Sequence, residues 1–354
     1  MPEISVILAT YGRADVLPKT MDCLASQDIP PESFEVIIID DGSPDNTPEV
    51  AEALAREMPF STTVLVNERN SGAGYTQNRG IEAAKAPLLL IMADDILFVP
   101  GALRAHLEAH AEHPGEEVSI LGNVVPSPEM TEKSLFLRKF DPFRYEENWG
   151  QMEELPFYAW GAANASLKAS LIRKAGMFAN RVGRAGVQNH HDVEMAWRLK
   201  QQGMRLYFNA EAKGYHHHYY TLESAAKKWR ERGLNWGEFR TFVPDPEFTV
   251  ASHLFNRRTY REYLSVLRES NELAGREKSL AWHLFREGVR RVGFNAVTIN
   301  LFWWPFLRAA ERFDLLEPLV RPAMYHAFLH YFWNKAVVEA DDIYAGESAS
   351  AAAE

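Results

Sequence analysis

Apolar positions in the first half of the chain form short runs separated by helical stripes. Residues 4–9 (ISVILA), 34–39 (FEVIII), 62–67 (TTVLVN) and 88–92 (LLLIM) are strand-length and nearly uninterrupted. The first is the pattern of a strand covered on both faces, the second also reads as a buried strand, and the other two read as strands. Residues 16–26, 48–57, 74–84 and 101–110 read as helices between and after them, and Leu17, Met21, Cys23 and Leu24 fall on or near one stripe. Strand–helix alternation of this kind predicts an α/β fold with a parallel, doubly wound sheet. Ligands gather at the carboxyl ends of such strands. Tyr11, Asp41 and Asp95 each follow a predicted strand and are expected in one crevice.

Beyond residue 118 the pattern is mixed, with an acidic stretch over 146–154. Residues 192–202 form a clear helical pattern ending at Gly203, which suits a C′ position, and 206–209 read as a short strand. From Leu222 onward helical spacing dominates, over 222–239, 259–273, 280–294 and 324–338. Residues 292–307 (VGFNAVTINLFWWPFL) are the most apolar run, broken by Asn295, Asn300 and Pro305. That is too short and polar to span a bilayer. It reads either as a buried core helix or as an element lying against a membrane or partner, with Trp303 and Trp304 near Arg290, Arg291 and Arg308. The expected organisation is a domain over 1–225, a helical region over 226–340 and a disordered acidic tail over 341–354.

Composition narrows this picture. The chain has 354 residues and one cysteine, Cys23. A disulfide framework and a multi-cysteine zinc module are thereby excluded. The strand-like start, without a charged and apolar leader pattern, points to a cytoplasmic protein. A net charge of −10 argues against a nucleic-acid binder. The charge is uneven: residues 1–225 carry a net −11, residues 226–340 a net +5 and the tail −4. Six of the nine tryptophans lie in the basic region. The two regions are expected to meet different partners.

Several residues could carry chemistry. Asp40-Asp41-Gly42-Ser43 ends a strand; it is either an ordinary turn or a carboxylate placed to accept a base N–H or a ribose hydroxyl. Asp94-Asp95 ends another, and acids there can cap a helix. Two carboxylates at two strand ends make a plausible Mg²⁺ or Mn²⁺ site, because hard cations take carboxylate oxygens plus substrate phosphates. Asp192 opens a helix, as a plain N-terminal acid or as a general base kept ionised by the helix dipole. His216-His217-His218 follows a strand, and alternation puts His216 and His218 on one face and His217 on the other. Gly72-Ala73-Gly74 could bring backbone N–H groups to a phosphate, but Gln77 stands where a dinucleotide fingerprint needs its third glycine.

The ordered fragments SVILATYGR, FEVIIIDDGSPDNT, NSGAGYTQNRGIEAA, LLLIMADDILFVPGAL, GAANASLKASLIRKAGMF, HHDVEMAWRLKQQG and YHHHYYTLES resemble the inverting glycosyltransferases of family 2, over roughly residues 3–225. The resemblance implies a GT-A domain, a doubly wound nucleotide-diphospho-sugar transferase fold, here with an α-helical C-terminal extension. It implies transfer of a sugar from a nucleotide-diphosphate donor, most often UDP-linked, to a hydroxyl of a glycan or lipid-linked acceptor, with inversion and with Mn²⁺ or Mg²⁺. By the same resemblance Thr10, Tyr11 and Arg13 wrap the base, Asp41 reads its edge and Asn78 borders the donor pocket. Asp94 matches the ribose contact and Asp95 the metal ligand, with His216 completing the metal or diphosphate site. Trp160 and Gly161 shape the donor-sugar and acceptor pocket, His191 stands in the acidic pair before the acceptor helix, and Asp192 is the base.

Three positions depart from the family pattern. Gly12 replaces Asn, Ala93 replaces the first Asp of the DxD element, and His191 replaces Glu. The last two motivate an alternative, a non-catalytic nucleotide-sugar-binding or scaffold protein of the same fold. The basic, Trp-rich 226–340 region is a candidate for peripheral membrane contact.

Overall fold

The computed structural model describes residues 1–179, 191–242 and 292–351, with the side chains of 191, 237–242 and 341–351 left aside. The helical expectations over 259–273 and most of 280–294 lie outside these residues.

The described chain falls into two compact units. The first contains Met1–Met130, residues 141–179 and His191–His218; the second contains Thr131–Phe140 and the described residues from 219 onward.

In the first unit, β1 (Ile4–Thr10), α1 (Leu17–Ala25), β2 (Phe34–Asp40), α2 (Thr47–Glu57), β3 (Ser61–Val66), α3 (Ala73–Ala83) and β4 (Leu88–Ala93) alternate as the sequence predicts. Along the chain there follow β5 (Ile96–Phe98), α4 (Ala102–Glu112), β6 (Val118–Pro126), α5 (Pro128–Lys133), whose last three residues belong to the second unit, α6 (Leu135–Lys139) of the second unit, and then α7 (Tyr145–Trp149), β7 (Asn164–Lys168), α8 (Ala169–Lys174), α9 (His191–Gln201) and β8 (Arg205–His216) of the first. Among the described residues the sheet has eight strands in the order β3-β2-β1-β4-β7-β6-β8-β5.

The β3-β2-β1-β4 half is parallel, with Val6 beside Val36 and Leu90. The other half corrects the all-parallel expectation, since β7 runs antiparallel to both β4 and β6, and β5 antiparallel to β8. The short strand expected at 206–209 is a 12-residue strand that crosses an irregularity near Gly122 and Asn123 of β6.

The runs of β1, β2 and β4 are buried on both faces, while β3 at the sheet edge is only partly buried. Val6, Leu8, Val36, Ile38, Leu90 and Met92 pack in one cluster with Leu17, Met21 and Leu24 of α1, while Ile7, Ile37 and Ile39 face the other side. Gly80 lets α3 close on that second side, because a Cβ there would stand 2.6 Å from Ile7 Cγ2 and 2.7 Å from Ile39 Cδ1. Burying a carboxylate requires partners; Glu35 of β2 has them in Ser5 Oγ (2.7 Å) and the Lys85 backbone N–H (2.8 Å). Helix α9 ends as expected at Gly203, with φ 87°. The Met204 N–H reaches the Leu199 carbonyl and the Gly203 N–H reaches Lys200, which satisfies two terminal carbonyls.

The second unit is helical. Helix α10 (Leu222–Phe242), α11 (Trp304–Arg312) and α12 (Pro322–Ala351) dominate it, with a π-helical turn over Ile299–Trp303. Leu234 of α10 packs with Ala336 and Ala340 of α12, and Arg230 forks onto Glu339 at 2.7 and 2.8 Å. Helix α12 runs to Ala351, into the segment expected to be a disordered tail. No described helix is long and apolar enough to cross a membrane.

Candidate active site

Three turns at the carboxyl ends of β1, β2 and β4 meet. The Asp41 N–H donates to the Thr10 carbonyl, joining the first two turns. Thr10 Oγ1 donates to Asp94 Oδ2 at 2.7 Å, joining the first to the third, and Thr20 Oγ1 donates to the Asp94 carbonyl at 2.6 Å. Gly12 has φ 63°, a left-handed conformation that glycine and asparagine both tolerate, so its departure from the family's Asn preserves the turn.

Asp94 and Asp95 are both buried yet differ in their environment. Burial and the neighbouring Asp95 charge push the Asp94 carboxyl up to about 6, against Thr10 and Arg13. Burial also opposes ionisation of Asp95. The close approach of His218 and the charges of His216 and Arg13 outweigh it and hold that carboxyl well below the usual range. Arg13 Nη2 lies 3.0 Å from Asp95 Oδ2, and its Nε lies 3.7 Å from Asp94 Oδ1. The guanidinium therefore rests on the acidic pair.

The pairing of β5 with β8 sets Ile96 opposite His216, and the His217 N–H donates to the Asp95 carbonyl at 2.7 Å. This clamps the histidine run to the acidic turn. His216 Nε2 stands 3.5 Å from Asp95 Oδ1 and His218 Nδ1 stands 3.6 Å from Asp95 Oδ2. One ligand atom from each of Asp95, His216 and His218 lies within 4.8 Å of the others. With metal–ligand bonds of about 2 Å, two ligands of one ion stand roughly 3–3.5 Å apart, so the group can close on a cation with small side-chain movement. A carboxylate with two imidazoles suits a first-row divalent ion. His217 faces the other way, with Nε2 2.9 Å from Lys19 Nζ and 3.7 Å from Glu129 Oε2. His218 is thus a candidate site residue that the sequence reading left out, although strand alternation had placed it with His216.

The remaining candidates take several positions. Tyr11 is 46% exposed at the rim, as a ring that stacks on a base requires. Asp41 is buried, and its carboxylate accepts from Asn67 Nδ2 (2.7 Å) and from the N–H groups of Ser71 and Gly72 (2.9 Å each). It therefore shapes the loop before α3, and those two N–H groups serve Asp41 where the sequence had offered the loop to a phosphate. Asn78 clamps the backbone of Phe178, donating to its carbonyl at 2.8 Å and accepting from its N–H at 2.9 Å.

Trp160 is 2% exposed, and its indole N–H donates to Ser119 Oγ. The residue packs in the core, and no face of the ring is open to a sugar. Gly161 does face the site: a Cβ built on it would stand 3.9 Å from Asp192 Oδ2. Asp192 lies in the first turn of α9, half-buried, where the helix N-terminus favours the carboxylate. His191 is the first residue of that helix.

The mixed sheet, with an acidic turn after β4 and a histidine run at the end of its last long strand, has the GT-A fold of the solved glycosyltransferase structure it resembles. Residues 5–175 match the model described as glycosyl transferase family 2, so this segment is a family 2 glycosyltransferase domain. Among curated proteins the chain is similar to a validoxylamine A glucosyltransferase of Streptomyces hygroscopicus subsp. limoneus, with 26% identity over 237 residues, 60% of this chain and 51% of the relative. The chain thus spans about half the length of that relative. Among solved structures it resembles the mannosyltransferase PcManGT from Pyrobaculum calidifontis in complex with GDP-Man and Mn²⁺. The TM-score is 0.61 at 17% identity, over 96% of this chain and 87% of the other. It also resembles residues 1–349 of S. aureus TarS in complex with UDP, with TM-score 0.50, 18% identity, and 97% and 91% coverage. These likenesses extend to the fold.

Proposed function

We propose that the chain is an inverting, divalent-metal-dependent glycosyltransferase that moves a sugar from a nucleotide-diphosphate donor, UDP-linked in the first instance, to a hydroxyl of a glycan or lipid-linked acceptor. The observation that carries this reading is the convergence of Asp95, His216 and His218 on one point at the strand ends, with Asp192 opposite Gly161 in the same unit. Similarity to a structure holding GDP-Man and Mn²⁺, and to another holding UDP, supports a nucleotide-sugar donor.

In this reading Asp95, His216 and His218 would hold Mn²⁺, the two imidazoles making the set a poor one for Mg²⁺. When bound, such an ion offers Lewis-acid stabilisation to a leaving diphosphate. Tyr11 offers its exposed ring to the base, and Asp41 supports the nucleotide pocket by fixing the loop at Ser71 and Gly72. Asp94, buttressed by Thr10, faces the ribose. Arg13 places a fixed positive charge on the acidic turn, where a diphosphate gains charge. Asp192 accepts the proton of the acceptor hydroxyl, a contribution of typically 10²–10⁴-fold. His191 in place of an acid makes the acceptor side less negative.

For the acceptor's carrier, exposed Val292, Val297, Leu301 and Phe302 in the second unit support contact with a membrane surface. Unchanged vesicle co-sedimentation of the Leu301→Glu, Phe302→Glu double variant would remove that part of the reading.

The central test is nucleotide release from UDP-glucose, UDP-N-acetylglucosamine and GDP-mannose, with and without Mn²⁺. Metal-dependent release from one donor, lost in Asp95→Ala, supports the proposal; absence of release from any donor overturns it.

A further inference from the structure

Among the described residues nothing gives Gly161 a steric reason to be glycine. Its backbone lies outside the left-handed region, and of the described residues a Cβ there would meet Tyr145 Oη at 3.4 Å and Asp192 Oδ2 at 3.9 Å, both ordinary contacts. Among these residues the glycine leaves a methyl-sized space bordered by a phenol hydroxyl and a carboxylate.

Two features carry Tyr145 to this place. Arg144, just before it, has φ 50° and ψ 37°, a left-handed conformation costing a non-glycine residue on the order of 1–2 kcal/mol. It is fastened to Glu147, with Nε to Oε2 at 2.7 Å. Strain of this kind persists where the surroundings over-determine it, often at functional sites. In addition, the Phe143 ring stands edge-on to Tyr145 at 5.6 Å and to His216 at 4.9 Å. One aromatic wedge therefore spaces the tyrosine from the candidate metal ligand.

We propose that Tyr145 is the second contact of the attacking hydroxyl, and that Gly161 is kept small so that an alcohol can enter between Tyr145 and Asp192. This rests on the reading of Asp192 as the base. Tyr145 Oη donates a hydrogen bond to the acceptor oxygen while Asp192 accepts its proton. The acceptor oxygen forms a bond to the anomeric carbon. The bond from that carbon to the diphosphate oxygen breaks, and its electron pair leaves with the nucleotide diphosphate. Tyr145 keeps its own proton throughout and is unchanged at the end. The acceptor class is an alcohol slim at the reacting carbon, with water as the smallest member.

The test uses the full chain with Mn²⁺ and whichever of UDP-glucose, UDP-N-acetylglucosamine or GDP-mannose it cleaves. Nucleotide release is followed with water alone and with methyl α-mannoside or methyl α-glucoside added. Tyr145→Phe is expected to lower kcat roughly tenfold, the loss of one good hydrogen bond, with donor KM unchanged. Gly161→Ala, which fits without a clash, is expected to suppress transfer to the glycosides more than hydrolysis, because the added methyl narrows the entrance while water still passes. If both variants match the wild type in kcat and in the glycoside-to-water ratio while Asp192→Asn is inactive, the Tyr145 proposal is overturned and the base assignment stands. Full turnover by Asp192→Asn overturns the base assignment and this proposal together. Absence of nucleotide release by the wild type overturns the function itself.

Discussion

His218 Nδ1 and Asp95 Oδ2 stand 3.6 Å apart, on the strand-end face that His216 shares and His217 does not. The contrast between neighbours gives an internal control. His218→Ala is expected to weaken Mn²⁺ binding by one to two orders of magnitude, roughly the effect of removing a supporting metal-site group. His217→Ala, which disturbs the side facing Lys19, Glu129 and Ser127, is expected to leave that affinity in place. Calorimetric titration of each variant with Mn²⁺ checks this. Equal losses in both would mean that the histidine run binds no metal through one face.

Asp192 is expected to act on the acceptor and not on the donor. Asp192→Asn should reduce sugar transfer by about 10²–10⁴-fold, the typical share of a positioned base. Donor affinity in the presence of Mn²⁺ should stay at the wild-type value, because the carboxylate lies beside Gly161 and in this reading serves the acceptor. Equilibrium binding and turnover measured on the same preparation separate the two quantities.

The parallel half of the sheet was legible because β1, β2 and β4 are continuous apolar runs, and a strand covered on both faces leaves that signature. Strand β7 was not, since its sequence NASLK is largely polar: Asn164 and Ser166 point to His106, a partner 58 and 60 residues away that no local pattern reveals. Strand β6 escaped notice because Gly122 and Asn123 interrupt VSILGNVVP at its register shift. In the site, alternation alone paired His216 with His218. The burial of Trp160 could not be read, because a lone tryptophan after a loop looks the same whether its indole finds a sugar or Ser119.

Close packing of α3 on the sheet yields a stability prediction. Gly80→Ala puts a methyl about 1 Å too near Ile7 Cγ2 and Ile39 Cδ1, whose distances to that Cβ would be 2.6 and 2.7 Å. Overpacking of this kind costs typically about 1–3 kcal/mol. Adding Ile39→Val removes the Cδ1 atom and is expected to restore part of the loss, a non-additivity characteristic of residues in contact. Urea unfolding midpoints of the two single variants and the double variant decide it: strictly additive losses would show that the helix shifts away from the sheet.

The buried histidines of α4 make stability depend on pH. Burial pushes His106 down to about 4, although its bond to Asn164 favours the charged form. Burial and then the His106 charge push His110 down to about 3. Both rings bond to Ser166 Oγ, at 2.8 and 3.0 Å. In the unfolded chain each titrates near 6.5. Above that value both rings are neutral in both states, and they add no pH dependence. Below it the unfolded chain binds protons that the folded chain refuses, so stability falls as pH falls toward 4, by up to about 1.4 kcal/mol per pH unit for each ring. Between pH 6.5 and 5, carboxylates of ordinary pKa remain ionised, but Asp94 (about 6) and Glu311 (about 7) take up protons in the folded chain and slope the other way, so the histidine share is read from the difference between wild type and a histidine variant. His106→Gln removes one of the two protons, and its urea-derived stability should fall less steeply over this interval than that of the wild type. Parallel curves would show that the His106 ring gains its proton without leaving the core.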